Sequence, residues 1–182
     1  MIMTFRHAFL LFFLVLGGIS SAGAMSNKNW ETVSDVGVYS TLAFALGLPA
    51  YRSDWEGFKQ AAYSAGAAEG VAQLGKAIVH EERPDKSDAN SFPSGHTSVA
   101  FASATTLYRR YGWETALPAY ALAALTAVGR VEAKKHYWHD VAAGAAIGTT
   151  SGWLLTDAFN KTVQLVPWVE GGGGGLVAVV KW

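Results

Sequence analysis

The chain has 182 residues, a formal charge of zero from 14 basic and 14 acidic side chains, and no cysteine. That length suits one domain with a real core, and the charge balance lacks the basic footprint that nucleic acid requires. Without thiols there are no disulfides, no thiolate catalysis and no cysteine-ligated zinc, so stability must come from packing.

Residues 1–24 stand apart: Arg6 and His7 precede an unbroken apolar run from Ala8 to Leu16, followed by Gly17-Gly18 and the small-residue stretch Ser20-Ser21-Ala22-Gly23-Ala24. A positive start, a short apolar middle and an Ala-x-Ala end predict a secretory signal peptide cleaved after Ala24, and hence export to a bacterial periplasm or envelope. The alternative is an uncleaved first transmembrane helix, which would make the protein integral to the membrane.

Val36 to Leu48 is apolar and predicts a helix, with Ser34 or Asp35 as N-cap and Pro49 as stop. From Trp55 to about His80, Phe58, Ala61, Ala65, Ala68, Ala72 and Ile78 interleave with Lys59, Glu69, Gln73 and Lys76, the pattern of an amphipathic helix. Glu81 to Phe92 is polar, contains Pro84 and reads as a loop. A third helix is expected from around Ser94 to Tyr111, broken at Gly112. A fourth runs from near Glu114, with Pro118 in its first turn, to near Gly129, and a last from about Trp138 to Phe159.

The fold class is therefore all-α: a compact bundle of about five helices after signal removal. Gln164–Val169 and Leu176–Trp182, β-prone runs around Glu170 and five consecutive glycines, add a short hairpin-like tail. The glycines lack the following Lys-Ser/Thr and helix of a phosphate loop. The expected organisation is a signal peptide at 1–24, a helical domain at 25–163 and a Gly-rich tail at 164–182. Apolar stretches such as Val36–Tyr51, Ala116–Gly129 and Val141–Thr156 are about 14 to 16 residues long, short of the roughly 20 that a membrane span needs. Buried helices of a soluble or surface-bound domain fit them better than integral insertion.

Three segments carry the chemistry. Lys76, near the end of the second helix, and Arg83 offer a mobile point charge and a planar fork, which together neutralise a dianion from two directions. In Pro93-Ser94-Gly95-His96, the amides near Ser94 and Gly95 fall at a helix N-terminus, where unpaired donors and the dipole favour an anion, and Gly95 allows close approach. His136 and Asp140 share a helix face at a spacing of four, so the carboxylate is placed to accept the Nδ1 proton and leave Nε2 free to attack phosphorus. His139 adjoins Asp140 in sequence but points about 100° away. Arg130 supplies a third cation, and His80 has no derivable role.

Taken together these residues resemble the three-part signature of the type 2 phosphatidic acid phosphatase and vanadium haloperoxidase superfamily: Lys-x6-Arg-Pro, then Pro-Ser-Gly-His, then Ser-Arg-x5-His-x3-Asp. Lys76, Arg83 and Pro84 match the first part, Pro93 to His96 the second, and Arg130, His136 and Asp140 the third. Gly129 departs, standing where the family usually has serine. The resemblance implies a metal-independent phosphatase without cofactor, acting on a phosphorylated lipid or small phosphoester, with possible contact to a membrane surface. It implies catalytic roles for His136 as nucleophile, Asp140 as its partner and His96 as general acid. Lys76, Arg83, Ser94, Gly95 and Arg130 would hold the phosphate. Two alternatives share the motifs: a haloperoxidase with vanadate in the phosphate position, and a non-catalytic envelope protein that binds anionic lipid.

Overall fold

The computed structural model describes residues 25–157, 163–170 and 173–180. The expected signal peptide and the junction between the last helix and the tail lie outside the described residues. Five helices make up the body: α1 (Asn27–Tyr51), α2 (Trp55–Ile78), α3 (Gly95–Tyr111), α4 (Trp113–Glu132) and α5 (Trp138–Leu155). Strands β1 (Val163–Glu170) and β2 (Gly173–Val180) pair antiparallel, with Val163 opposite Val180 and Glu170 opposite Gly173. Tight turns at Arg52–Asp54 and at Gly112, which adopts φ 84°, reverse the chain between neighbouring helices. The longer link from α2 to α3 leaves room for a loop at one end, and α3 is central, touching each of the other four helices.

Helix boundaries differ from the sequence expectation in α1, α4 and α5, the last ending at Leu155 rather than near Phe159. α1 starts about two turns earlier, capped by Ser26, whose Oγ accepts from the amide of Asn29 at 3.2 Å. Ser34 and Asp35, expected as caps, lie inside the helix, where the Ser34 hydroxyl turns back to the carbonyl of Glu31 at 2.7 Å. Pro49 does not stop the helix but sits in its last turn, its carbonyl accepting from the amide of Asp54. α4 likewise continues past Gly129 to Glu132, which puts Arg130 on a helix rather than in a loop.

The core is built from small side chains. Ala45, Ala61, Ala68, Ala100, Ala104, Ala119 and Ala123 are fully buried, and Leu107 is the largest side chain among the fully buried ones. Buried hydroxyls accompany them: Thr41 and Thr126 return their protons to the carbonyls of Gly37 and Leu122 four residues back, so they need no partner from elsewhere. Many large apolar residues are exposed, among them Phe44, Tyr63, Leu74, Ile78, Leu117 and Leu154, while Leu46, Phe101 and Tyr120 pack partly buried against the core. At the end where α1 meets α2 and α3 meets α4, Tyr51, Trp55, Trp113 and Trp153 are all exposed. Among the described residues α1 is the helix long and apolar enough to cross a membrane by length and composition.

That same end is tied by Asp54. Its carboxylate caps α2 at the amide of Gly57 and accepts both the Arg110 guanidinium and the Tyr111 hydroxyl, the latter at 2.7 Å. The Arg110 bond, opposed by burial, holds the Asp54 carboxyl well below the usual carboxylate range.

Small residues let α5 lie directly on α3. A Cβ on Gly144 would come 2.6 Å from the carbonyl oxygen of Ser94, one on Gly148 2.1 Å from that of Ser98, and one on Gly152 2.7 Å from Thr105 Cβ. These are backbone or short, rigid neighbours that have nowhere to go. Gly70 on α2 has open space around its Cβ position. Gly148→Ala is therefore expected to destabilise the protein by about 1–3 kcal/mol through overpacking, whereas Gly70→Ala should gain up to about 1 kcal/mol from helix propensity. Thermal or denaturant unfolding of both variants checks the opposite signs.

Candidate active site

The end of the bundle remote from Asp54 gathers the termini of four helices. α2 brings Lys76, α3 begins with Ser94 to His96, α4 ends with Arg130, and α5 begins beside His136 and carries Asp140 in its first turn. The α3–α5 contact sets their register: the amide of Ser94 donates to the carbonyl of Asp140 at 3.1 Å. Ser94 is fully buried and caps α3, its Oγ accepting from the amide of Thr97 and lying 3.0 Å from the Thr97 hydroxyl. At Gly95 a Cβ would meet Glu69 Oε2 at 2.8 Å, the mobile end of a side chain from α2.

His136 and Asp140 are buried together, exposed by 2% and 0%. Their closest atoms, Nδ1 and Oδ2, are 3.5 Å apart, and Nδ1 makes no hydrogen bond. The reason is competition: Oδ2 already accepts from the Ser91 hydroxyl at 2.5 Å and from the amide of Tyr137 at 2.8 Å, so this carboxylate also caps α5. Burial pushes the His136 imidazole down to about 3, and the positive charges of Arg130, Lys76 and Arg83 add to that push. The ring is thus a neutral base in a positive field.

The cations are not equally free. Lys76 Nζ donates to the carbonyls of Asn90 at 2.7 Å and Pro93 at 2.8 Å, with that of Ser91 at 3.5 Å, pinning the loop that precedes α3. Arg83 Nε donates to Asp88 across the same loop at 2.7 Å. Arg130, 5% exposed, has Nη1 3.5 Å from Ser34 Oγ and 3.4 Å from Asp35 Oδ1, while its Nε makes no hydrogen bond. His96 is half-buried, with Nε2 3.1 Å from Asp35 Oδ1 and its ring edge-on to Tyr39.

Four buried side-chain polar atoms among the described residues make no hydrogen bond, and three of them lie here: Arg130 Nε, His136 Nδ1 and Asp140 Oδ1, the last within ion-pair distance of His139 Nε2 at 3.1 Å. Native interiors rarely tolerate such atoms without a functional reason. The structure also brings in residues the motifs leave out. Ser91 orients Asp140, and Asp35 reaches His96 and Arg130 from α1. Ser91 stands two residues before the Pro-Ser-Gly-His run; no local pattern marks Asp35.

His139 lies outside the buried cluster. It is exposed, stacks on Tyr137 and Phe92, and places Nε2 2.9 Å from Glu81 Oε1 and 3.1 Å from Asp140 Oδ1. Glu81, His139 and Asp140 are the three groups at this end whose ligand atoms lie near enough together to hold a metal ion, within 4.8 Å of one another, and they pair among themselves. His139, His80, Glu81, Val79 and Phe92 line an open cavity of about 570 Å³ next to the site.

Gly129, where the family usually has serine, has a steric cause. A Cβ there would lie 2.9 Å from Ser34 Cβ and 3.1 Å from the carbonyl of Trp30, so the glycine lets α1 press against α4. Ser34 then puts a hydroxyl against Arg130 from the facing helix.

Known proteins resemble this chain in sequence and in fold. The chain is 39% identical over 88 residues to a lipid A 1-phosphatase of Porphyromonas gingivalis, a match covering 47% of this chain and 20% of the relative. It is 37% identical over 94 residues to a lipid A 4'-phosphatase of Helicobacter pylori, covering 51% and 48%. The chain thus spans between a fifth and a half of the length of these curated relatives. Its fold resembles the crystal structure of Aquifex aeolicus LpxE, with a TM-score of 0.62 at 21% identity over 81% of this chain and 93% of the other. It also resembles a transmembrane PAP2-type phosphatidylglycerolphosphate phosphatase of Bacillus subtilis, with a TM-score of 0.51 at 20% identity over 82% and 92%. With the PAP2 family model matching residues 57–164, from the second residue past the start of α2 to the start of β1, the chain belongs to the PAP2 superfamily.

Proposed function

We propose that the protein is a metal-independent phosphatase of the bacterial envelope that removes phosphate from a lipid through a phosphohistidine. The observation that carries this reading is the buried, neutral His136 beside Asp140, in the field of three cations and next to the N-terminus of α3. Catalysis of phosphoryl transfer rests mainly on positioning and on stabilising charge, and these residue types supply both.

His136 Nε2 attacks phosphorus, and the bond to the leaving oxygen breaks as His96 gives that oxygen a proton. The imidazolium formed at His136 is stabilised by Asp140, whose 3.5 Å separation shortens as charge develops. Water then attacks the phosphohistidine, His96 taking its proton, and phosphate leaves. Arg130, Lys76, Arg83 and the amides near Ser94 and Gly95 hold the equatorial oxygens. The names of the relatives point to a glycolipid phosphate of the lipid A kind as the substrate class.

The outside of the bundle supports a lipid-contacting state: large apolar side chains face outward, small ones fill the core, and four aromatic residues rim one end. Export with cleavage after Ala24, a catalytic domain at 25–163 and a tail at 164–182 belong to the same reading.

His136→Ala is expected to reduce phosphate release from a lipid phosphate by at least about 1,000-fold, while His139→Ala stays within about tenfold of the native rate. Rapid acid-free quenching should trap a phosphoprotein in the native enzyme and none in His136→Ala, and EDTA should leave the native rate unchanged. A folded native protein that releases phosphate from neither lipid nor aryl phosphates overturns the reading.

The lowered proton affinity of His136 has a thermodynamic sign. The unfolded chain takes up a proton near the ordinary imidazole value of about 6.5, whereas the folded ring stays neutral to about 3. Its contribution to stability is complete above about 6.5 and lost as pH falls towards 3. Thermal unfolding across this window should show the decline, and His136→Asn should reduce it.

In a bacterial host the protein is expected to sediment with membranes, and N-terminal sequencing should begin at Met25. Recovery wholly in the soluble fraction removes lipid contact from the reading.

A further inference from the structure

Asp35 belongs to none of the three motifs and lies outside residues 57–164 that the family model matches. Its carboxylate nevertheless reaches two site groups at once, with Oδ1 3.1 Å from His96 Nε2 and 3.4 Å from Arg130 Nη1. The placement is enforced by packing. α1 is pressed onto α4 where side chains are missing on both sides of Asp35. A Cβ on Gly129 would strike Ser34, and one on Gly37 would lie 2.4 Å from Thr126 Oγ1. Packing at Ser34 and Gly37 fixes the backbone of Asp35 and so directs its side chain towards His96 and Arg130.

The geometry points to Asp35 as a positioning residue for leaving-group protonation, its carboxylate holding the His96 imidazolium and the Arg130 guanidinium as one charge-balanced unit. The inference rests on the phosphatase reading above and assigns the acid half of that reaction a residue from outside the motifs. His96 is faced by Asp35 and the Tyr39 ring from α1, Glu69 from α2 and Arg130 from α4. Burial and Arg130 push the His96 imidazole below its ordinary range, and Asp35 and Glu69 pull it back. A general acid has to keep its proton until the leaving oxygen takes it, so the carboxylate acts in the direction the step requires. In that step one ring proton of His96 passes to the ester oxygen as it receives the electron pair of the breaking P–O bond. Asp35 keeps its charge throughout and fixes the ring that remains.

The test is Asp35→Asn in the full chain, assayed on an alkyl phosphate monoester and on p-nitrophenyl phosphate, whose leaving group needs no proton. Asp35 is 41% exposed, and thermal unfolding of the variant checks that it folds. The expected result is a fall in kcat/KM of about 10- to 100-fold on the alkyl ester and of less than about threefold on the aryl ester. The alkaline limb of the alkyl-ester profile should move to lower pH, since without the carboxylate His96 loses its proton sooner. Asp35→Glu should recover part of the rate, and it carries the test if the asparagine variant does not fold. Equal losses on the two esters, an unchanged alkaline limb, or a lowered KM with unchanged kcat overturns the inference. The last would mean that the carboxylate merely occupies the phosphate position and is displaced by substrate. An active native enzyme with an unaffected Asp35→Asn variant sinks this inference alone; a native enzyme inactive on both esters sinks the phosphatase reading and this inference with it.

Discussion

The contact between the backbones of α3 and α5 is the constraint on which the rest depends. Gly144, Gly148 and Gly152 leave no room for a side chain against Ser94, Ser98, Ala102 and Thr105, so the two helices meet along a stripe of missing atoms. One result is the hydrogen bond from the amide of Ser94 to the carbonyl of Asp140, which locks the start of α3 beside the first turn of α5. Two helix N-termini then face the same space, and their dipoles reinforce the charges of Lys76, Arg83 and Arg130. A site so positive is costly to leave uncompensated. Asp140 and Asp35 supply negative charge from within, and in the proposed reaction an oxyanion would supply it from without.

Close approach also explains the composition. Interiors made of alanine, serine, threonine and glycine bury little apolar area per residue, so cohesion comes from the number of near contacts between helices rather than from bulky side chains. Leu107 is the exception among the fully buried residues. The hydroxyls cost little because they bond within their own helix, as Thr41, Thr126 and Ser98 do. Placing many large apolar residues on the outside, with Trp55, Trp113 and Trp153 at one rim, is the counterpart, and it is the surface that the proposed lipid contact would use.

Features carried by local chemistry were legible in the chain. The cap at Ser94 and the break at Gly112 each depend on a few neighbouring residues, and each is found where the sequence places it. His136, expected on a helix face shared with Asp140, instead precedes α5 in the bend before Tyr137 and comes within 3.5 Å of Asp140 from there. Features that depend on packing were not. Ser34 and Asp35 have the composition of a cap, yet α1 begins at Asn27 because Ser26 provides that cap and the helix is held along its length by α4. The use of Asp140 by Ser91 and Tyr137, and of Lys76 by the loop carbonyls, is equally invisible in spacing. Gly129 read from sequence is a lost hydroxyl; in the fold it is the space that admits Ser34.

The His136–Asp140 pair shows why geometry and charge have to be considered together. A carboxylate already accepting from a hydroxyl and an amide, 3.5 Å from a neutral ring, is a weak partner for that ring. Burial and three cations keep the proton off His136, which leaves its lone pair available. In the proposed mechanism, a bound phosphate dianion would cancel much of the cationic push just as attack would place positive charge on the imidazole. On that proposal the attraction of Asp140 would grow in the direction of the reaction, so the pair would stabilise the charge that develops more than the state that precedes it.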